Sequence, residues 1–137
     1  MNFVEKTVAA LRANARIFVV DDEFIIASTL ATILQRNGFD AVYFIDPLEA
    51  LTAARDKAPD LLISDVVMPG MSGVDLAIAL KQEHPKARIL LFSGQAATAN
   101  FLEAARIKGH DFELLSKPIH PTEFLKKISM VAEEPVT

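Results

Sequence analysis

The stretch Leu61 to Gly73, LLISDVVMPGMSG, leaves the chain few choices of fold. Its run through Ser64 fits a strand buried on both faces, and Met68-Pro69-Gly70 with Ser72-Gly73 after it must be loop. Asp65 therefore sits where a buried strand surfaces. In an open parallel α/β sheet, ligands bind in the crevice outside the carboxyl ends of the strands. A carboxylate at a turn also caps a following helix, so Asp65 taken singly has two readings. The rest of the chain separates them.

Four other apolar runs repeat the arrangement. Ile17 to Val20 ends in Asp21-Asp22-Glu23, and Asp40 to Ile45 is a shorter run. Ala87 to Phe92 ends in Ser93-Gly94, and Phe112 to Leu115 stops at Ser116-Lys117-Pro118. Helical patterns separate them. The first has Ile26, Leu30 and Ile33 on one face and stops at Asn37-Gly38. The second opens at Asp46-Pro47, with Leu48, Leu51 and Ala54 or Arg55 as its stripe. The third runs from about Val74 to Glu83 with Leu76, Ala77 and Leu80 inward. An alanine-rich segment, Ala96 to Lys108, has only Phe101, Leu102 and Ile107 as large apolar residues and is expected to be loosely held. The last, from Pro121, carries Phe124, Leu125, Ile128 and Val131. Strands alternating with helices at this spacing demand right-handed crossovers and a doubly wound parallel sheet.

A length of 137 residues suits one domain, taken here as 16–133, with 1–15 as an extension and 134–137 as a tail. In the extension Val4, Val8 and Leu11 recur at helical spacing, which suggests a packing or dimerising helix and makes a homodimer worth testing. No apolar run approaches the roughly 20 residues that span a bilayer, and no signal peptide precedes the first strand, so a cytoplasmic protein without membrane contact is expected. The chain has no Cys, which removes disulfides, thiolate metal sites and a Cys nucleophile. A net charge of −4 with no basic stripe argues against direct nucleic-acid binding.

Asp21-Asp22, Asp65, Ser93 and Lys117 stand at the ends of four strands, and a doubly wound sheet brings those ends to one crevice. Capping needs one carboxylate, whereas Asp21-Asp22-Glu23 supplies three in a row. Carboxylates held this close raise one another's pKa unless a cation neutralises them. Oxygen ligands without His or Cys suit Mg²⁺, or Mn²⁺. An Asp beside such an ion stays ionised and is able to attack a phosphoryl group. Lys117 and the metal would offset the charge on the transferred oxygens, and Ser93 would donate to one of them.

Val19-Val20-Asp21-Asp22-Glu23, Ser64 to Gly73, Phe92-Ser93-Gly94 and Ser116-Lys117-Pro118 resemble the four signatures of two-component response regulator receiver domains, over roughly residues 16 to 133. The resemblance implies a stand-alone receiver with a flavodoxin-like (βα)5 fold and strand order 2-1-3-4-5. It implies that Asp65 is the phosphoacceptor, charged by a histidine kinase or histidine phosphotransfer protein. Asp22, Asp65 and the backbone carbonyl of Val67 would ligate Mg²⁺, with Asp21 acting mainly through water. Lys117 would pair with Asp65 and then with the phosphoryl oxygens, Ser93 would swing toward them, and Lys117-Pro118 would be a cis peptide. Such a protein is no enzyme beyond its own phosphorylation and dephosphorylation. Its output, with no second domain after residue 137, is expected to be contact with an unidentified protein through the last helix pair and the strand between.

Two positions depart from the family pattern. Leu114 stands three residues before Lys117, where the family has an aromatic switch residue, and Phe112 lies nearby as the other candidate. Val67 is apolar and has no group to orient a hydrolytic water, which predicts a long-lived aspartyl phosphate. Three rivals fit less well. A haloacid-dehalogenase-type phosphatase wants Asp-x-Asp after its first strand, a flavin carrier would find its phosphate repelled by Asp21-Asp22-Glu23, and a non-phosphorylated pseudo-receiver would not need an intact site. His84, His110 and His120, each beside a turn or Pro, are read as surface residues.

Overall fold

A strand that is apolar on both faces has to be covered on both sides, and β1 (Arg16–Val20), apolar from Ile17 onward, meets that need as an inner strand of the sheet. The computed structural model describes residues 15–94, 98–118 and 120–133, apart from the side chains at 98 and 129–133. The elements follow in strict alternation: β1, α1 (Phe24–Arg36), β2 (Asp40–Phe44), α2 (Pro47–Asp56), β3 (Leu61–Asp65), α3 (Gly73–Glu83), β4 (Arg88–Ser93), α4 (Thr98–Ile107), β5 (Glu113–Ser116) and α5 (Pro121–Glu133). The five strands are parallel and ordered β2-β1-β3-β4-β5. This is the doubly wound, flavodoxin-like arrangement expected from the alternation. The calls on residues 1–14 and 134–137, the dimerising helix among them, fall outside the described residues.

Alternate residues of each strand serve opposite cores. On one face Ile17, Val19, Ile63, Leu90 and Phe92 meet Leu30 and Leu34 of α1 and Phe124 and Ile128 of α5. On the other, Phe18, Val20, Leu62 and Leu91 meet Leu51 and Ala54 of α2 and Leu76 and Leu80 of α3. Period-2 alternation thus makes β1, β3 and β4 read as unbroken apolar runs. The edge strand β5 is only half-buried.

Several helix faces differ from the sequence reading. In α1 the fully buried residues are Ala27, Leu30, Ala31 and Leu34, while Ile26 and Ile33 flank them. Alanine lets the helix approach the sheet closely, so the small residues take the centre of the interface. In α2 Pro47 and Ala50 join Leu51 and Ala54 inside, and Leu48 is 58% exposed because at the helical period of 3.6 it stands off the face those four residues share. Ile45 lies beyond β2 and is exposed. The last strand runs to Ser116 and leaves Phe112 just ahead of it. The first helical residue of α4 is Thr98, and among its described side chains only Ala105 is buried, in keeping with the weak packing expected of it.

Candidate functional site

Parallel register brings the polar strand ends level. Val20 is opposite Ser64, Asp65 opposite Phe92, and Ser93 opposite Ser116. The residue after each strand therefore emerges at the same edge, and the chain there turns sharply. Val66 N donates to Phe92 O at 3.1 Å, and Gly73 N to Val66 O at 2.8 Å, so the loop after Asp65 folds back onto the strand that it leaves. Gly73 opens α3 directly against Asp65. A Cβ at position 73 would overlap the Asp65 carbonyl oxygen, so no side chain fits there. Lys117 N donates to Ser93 O at 3.1 Å, which fixes the end of β5 beside β4, and the Lys117–Pro118 peptide bond is cis.

One ammonium serves two buried carboxylates. Lys117 Nζ lies 3.2 Å from Asp21 Oδ2 and 3.3 Å from Asp65 Oδ2. The other oxygen of Asp21 accepts from Glu23 N at 2.8 Å. Asp21 has no exposed surface, Asp65 is nearly as buried, and Asp22 projects into solvent. One oxygen from each of the three lies within 4.8 Å of the others. Asp22, Asp65, Val67, Met68, Pro69, Gly94 and Lys117 are among the residues that line an open cleft of about 660 Å³ above the cluster. Ser93 is buried at the end of β4, on the next strand from Asp65.

Burial raises the carboxyl pKa of both Asp21 and Asp65; the Glu23 N–H and the Lys117 ammonium pull Asp21 only part of the way back, and Lys117 does the same for Asp65. Burial alone would lower the Lys117 pKa, but Asp21 and Asp65 outweigh it and raise the pKa above the ordinary lysine value, so the side chain stays charged. The site is thus short of positive charge. Three carboxylates against one ammonium, with oxygen donors only and no His or Cys among them, fit a hard divalent cation such as Mg²⁺.

The capping readings can now be decided. Glu23 is the N-cap of α1 but makes no side-chain cap bond, and Ser72, not Asp65, caps α3 by accepting from Asp75 N at 3.0 Å. The acidic residues at these strand ends are therefore not there to start helices. Leu114 packs on the core face that Ala105 of α4 covers, and Phe112 packs there too, with its ring stacked on His110 at 5.5 Å. Neither is among the residues that line the cleft above the carboxylates. His120 is exposed, while His84 and His110 are half-buried rather than on the surface as expected. His84 tucks its Nε2 away from solvent without a hydrogen-bond partner among the described residues, because it ends α3 against the Pro85–Ala87 turn.

Comparison with known proteins bears on the same residues. The family model of the response regulator receiver domain matches residues 17–129. This chain belongs to that family. The receiver is 31% identical over 113 residues to the DNA-binding response regulator MtrA of Mycobacterium tuberculosis (strain ATCC 25618 / H37Rv), covering 82% of this chain and 48% of that protein. It is 29% identical over 118 residues to the alkaline phosphatase synthesis transcriptional regulatory protein PhoP of Bacillus subtilis (strain 168), covering 86% and 48%. The chain thus spans about half the length of the curated relatives it matches. Among solved structures, the chemotaxis protein CheY4 of Vibrio cholerae superposes with a TM-score of 0.76 at 28% identity, covering 87% of this chain and 99% of that one. The protein is accordingly a response regulator receiver domain of a two-component system. Receivers of this family bind Mg²⁺ through an acidic pocket and interact with histidine kinases and output domains. Among the described residues of this receiver, no helix is long and apolar enough to cross a membrane.

Two residues shape the site in ways the sequence reading did not assign: Gly73, read there as loop, is the first residue of α3, and Phe92, read only as the end of its strand, lies beside Asp65. Gly73 had a signal, a glycine at the start of a helix where glycine is a poor former. Phe92 had a weaker one, an aromatic ring closing an otherwise aliphatic strand just before Ser93.

Proposed function

We propose that this receiver takes a phosphoryl group from a phosphohistidine of a histidine kinase or phosphotransfer protein onto Asp65, in a Mg²⁺-dependent step, and thereby changes a protein-binding surface. The observation that carries the proposal is one ammonium held between two buried carboxylates, Asp21 and Asp65, within reach of a third. An oxygen of Asp65 attacks phosphorus, the new O–P bond forms as the P–N bond to the donor histidine breaks, and the histidine nitrogen keeps the electron pair. Asp22, Asp65 and the Val67 carbonyl would hold Mg²⁺, with Asp21, whose two oxygens already accept hydrogen bonds, acting from outside its first ring of ligands. When bound, the ion supplies the positive charge that the pocket lacks and keeps Asp65 ionised. Lys117 then turns from Asp65 to the transferred oxygens, and Ser93 donates to one of them. The chain catalyses nothing beyond gaining and losing its own phosphoryl group, and a cytoplasmic location suits such a partner.

Intact mass after incubation with acetyl phosphate tests this reading. A gain of one phosphoryl group with Mg²⁺ and none with EDTA is expected, and no gain from either acetyl phosphate or a panel of phosphorylated kinases would refute it. Metal binding is separately visible. Saturating Mg²⁺ is expected to raise Tm, since a ligand at ten times its Kd contributes about 1.4 kcal/mol; an unchanged Tm up to 20 mM would speak against a metal site.

The added group carries about −1.5 to −2 charges, so Ser93 and the start of α4 are the parts that respond. Because α4 buries little and β5 is half-buried, the α4–β5–α5 side is the surface with least to resist a shift. The phosphoryl group should be long-lived, because Val67 beside Asp65 has no polar group to hold an attacking water. In a chase without phosphatase, a label lost mostly within seconds would contradict this.

A further inference from the structure

The feature that carries furthest is Phe92. It lies next to Asp65 on the neighbouring strand, at the register position Asp65↔Phe92, and side chains paired across parallel strands leave the sheet on the same face. Its ring has no exposed surface. Lys117 Nζ stands over that ring, 5.0 Å from its centre, and the same atom reaches Asp21 and Asp65. Two sides of the ammonium are thus taken by carboxylates and a third by the face of a benzene ring.

A ring face bears the negative end of the aromatic quadrupole, and cations are attracted to it within about 6 Å. The attraction grows as the pair is desolvated, and here the ring is fully buried while most of the Lys117 side chain is covered. A flexible four-carbon side chain would otherwise sample several rotamers around two acceptors. The ring narrows that choice without adding a further acceptor to compete for the ammonium's protons.

We propose that Phe92 is a positioning residue for phosphoryl transfer, holding the Lys117 ammonium beside Asp65 through a cation–π contact. Phe92 touches no reacting atom and acts through Lys117. The activity part of this inference rests on the function proposed above; the placement of Lys117 does not.

The test keeps the shape of the ring and changes its electrostatics. Position 92 is made 4-fluoro-, 3,5-difluoro- and 3,4,5-trifluorophenylalanine in the full chain, and each form is incubated with acetyl phosphate and Mg²⁺. If the contact is electrostatic, the rate of mass gain falls stepwise, by about five-fold or more at three fluorines, with Tm nearly constant. Phe92→Leu falls at least as far, and Phe92→Tyr recovers most of the rate. In parallel, NMR of the Lys117 ammonium in the metal-free protein reads its rotamer order, which declines along the same series. A parent that is phosphorylated normally while all fluorinated forms match it overturns the role of Phe92 and leaves the function intact. A parent that never gains mass refutes the function instead, and the NMR series then decides the placement alone: flat order overturns it, and graded loss upholds it.

Discussion

Asp65→Asn is expected to take up no phosphoryl group and to melt at a higher temperature than the parent in the absence of metal. The first effect is total, because the amide has no anionic oxygen to attack phosphorus. The second follows from burial. Asp65 is almost fully buried, burial raises its pKa, and Lys117 recovers only part of the loss, so the ionised side chain costs the fold stability at neutral pH. Asparagine keeps the shape and removes the charge, leaving Lys117 paired with Asp21. An increase of a few degrees, the effect of about 1 kcal/mol in a domain of this length, is expected.

The sign of the pH dependence can be worked out. A carboxyl whose folded pKa lies above its unfolded value binds its proton more tightly in the folded state. Its contribution favours folding below the ordinary value of 3.8 and is lost as pH rises through the raised folded value. The advantage of Asp65→Asn over the parent is therefore largest at neutral pH and shrinks toward nothing as the pH falls to 3.8. Thermal melts of both proteins between pH 4 and 7.5 in EDTA check this; a parent that is the more stable of the two at pH 7 would overturn it. Saturating Mg²⁺ should narrow the gap by stabilising the parent alone.

Gly73→Ala is expected to be the most damaging of the five glycine-to-alanine changes. The added Cβ would overlap the Asp65 carbonyl oxygen and press on Asp65 C and Ser64 Oγ, which are backbone and a buried side chain rather than a flexible tip. Relief requires α3 to move off β3, and α3 buries Val74, Leu76, Ala77 and Leu80. A cost of about 3 kcal/mol or more is expected, at the upper end for overpacking, with a fall in Tm of about 10 °C or more. The same shift would displace Asp65 and weaken metal binding. Gly70→Ala is the control. Gly70 has a φ of +82° but nothing within 4 Å of an added Cβ, so only the left-handed backbone opposes the change, at about 1 kcal/mol. Denaturant titrations in which the two variants lose equal stability would refute the steric argument.

What the sequence determined by itself was local. Period-2 and period-3.6 patterns fold the described residues into five strands and five helices, and parallel alternation forces the carboxyl ends of the strands to one edge. For that reason Asp21, Asp22, Asp65, Ser93 and Lys117 were legible as neighbours although up to 96 residues separate the partners in one hydrogen bond. Only the tertiary structure decided how each element is turned and how close it lies. It put Ala27 and Ala31 rather than Ile26 and Ile33 at the centre of the α1 contact, because the sheet rewards close approach over side-chain size. It divided the adjacent Asp21 and Asp22 into a buried partner of Lys117 and an exposed carboxylate, since successive residues at a strand end point in opposite directions. It placed Gly73 against a carbonyl and Phe92 beneath an ammonium, contacts that depend on distances between elements and that no periodicity in the chain encodes.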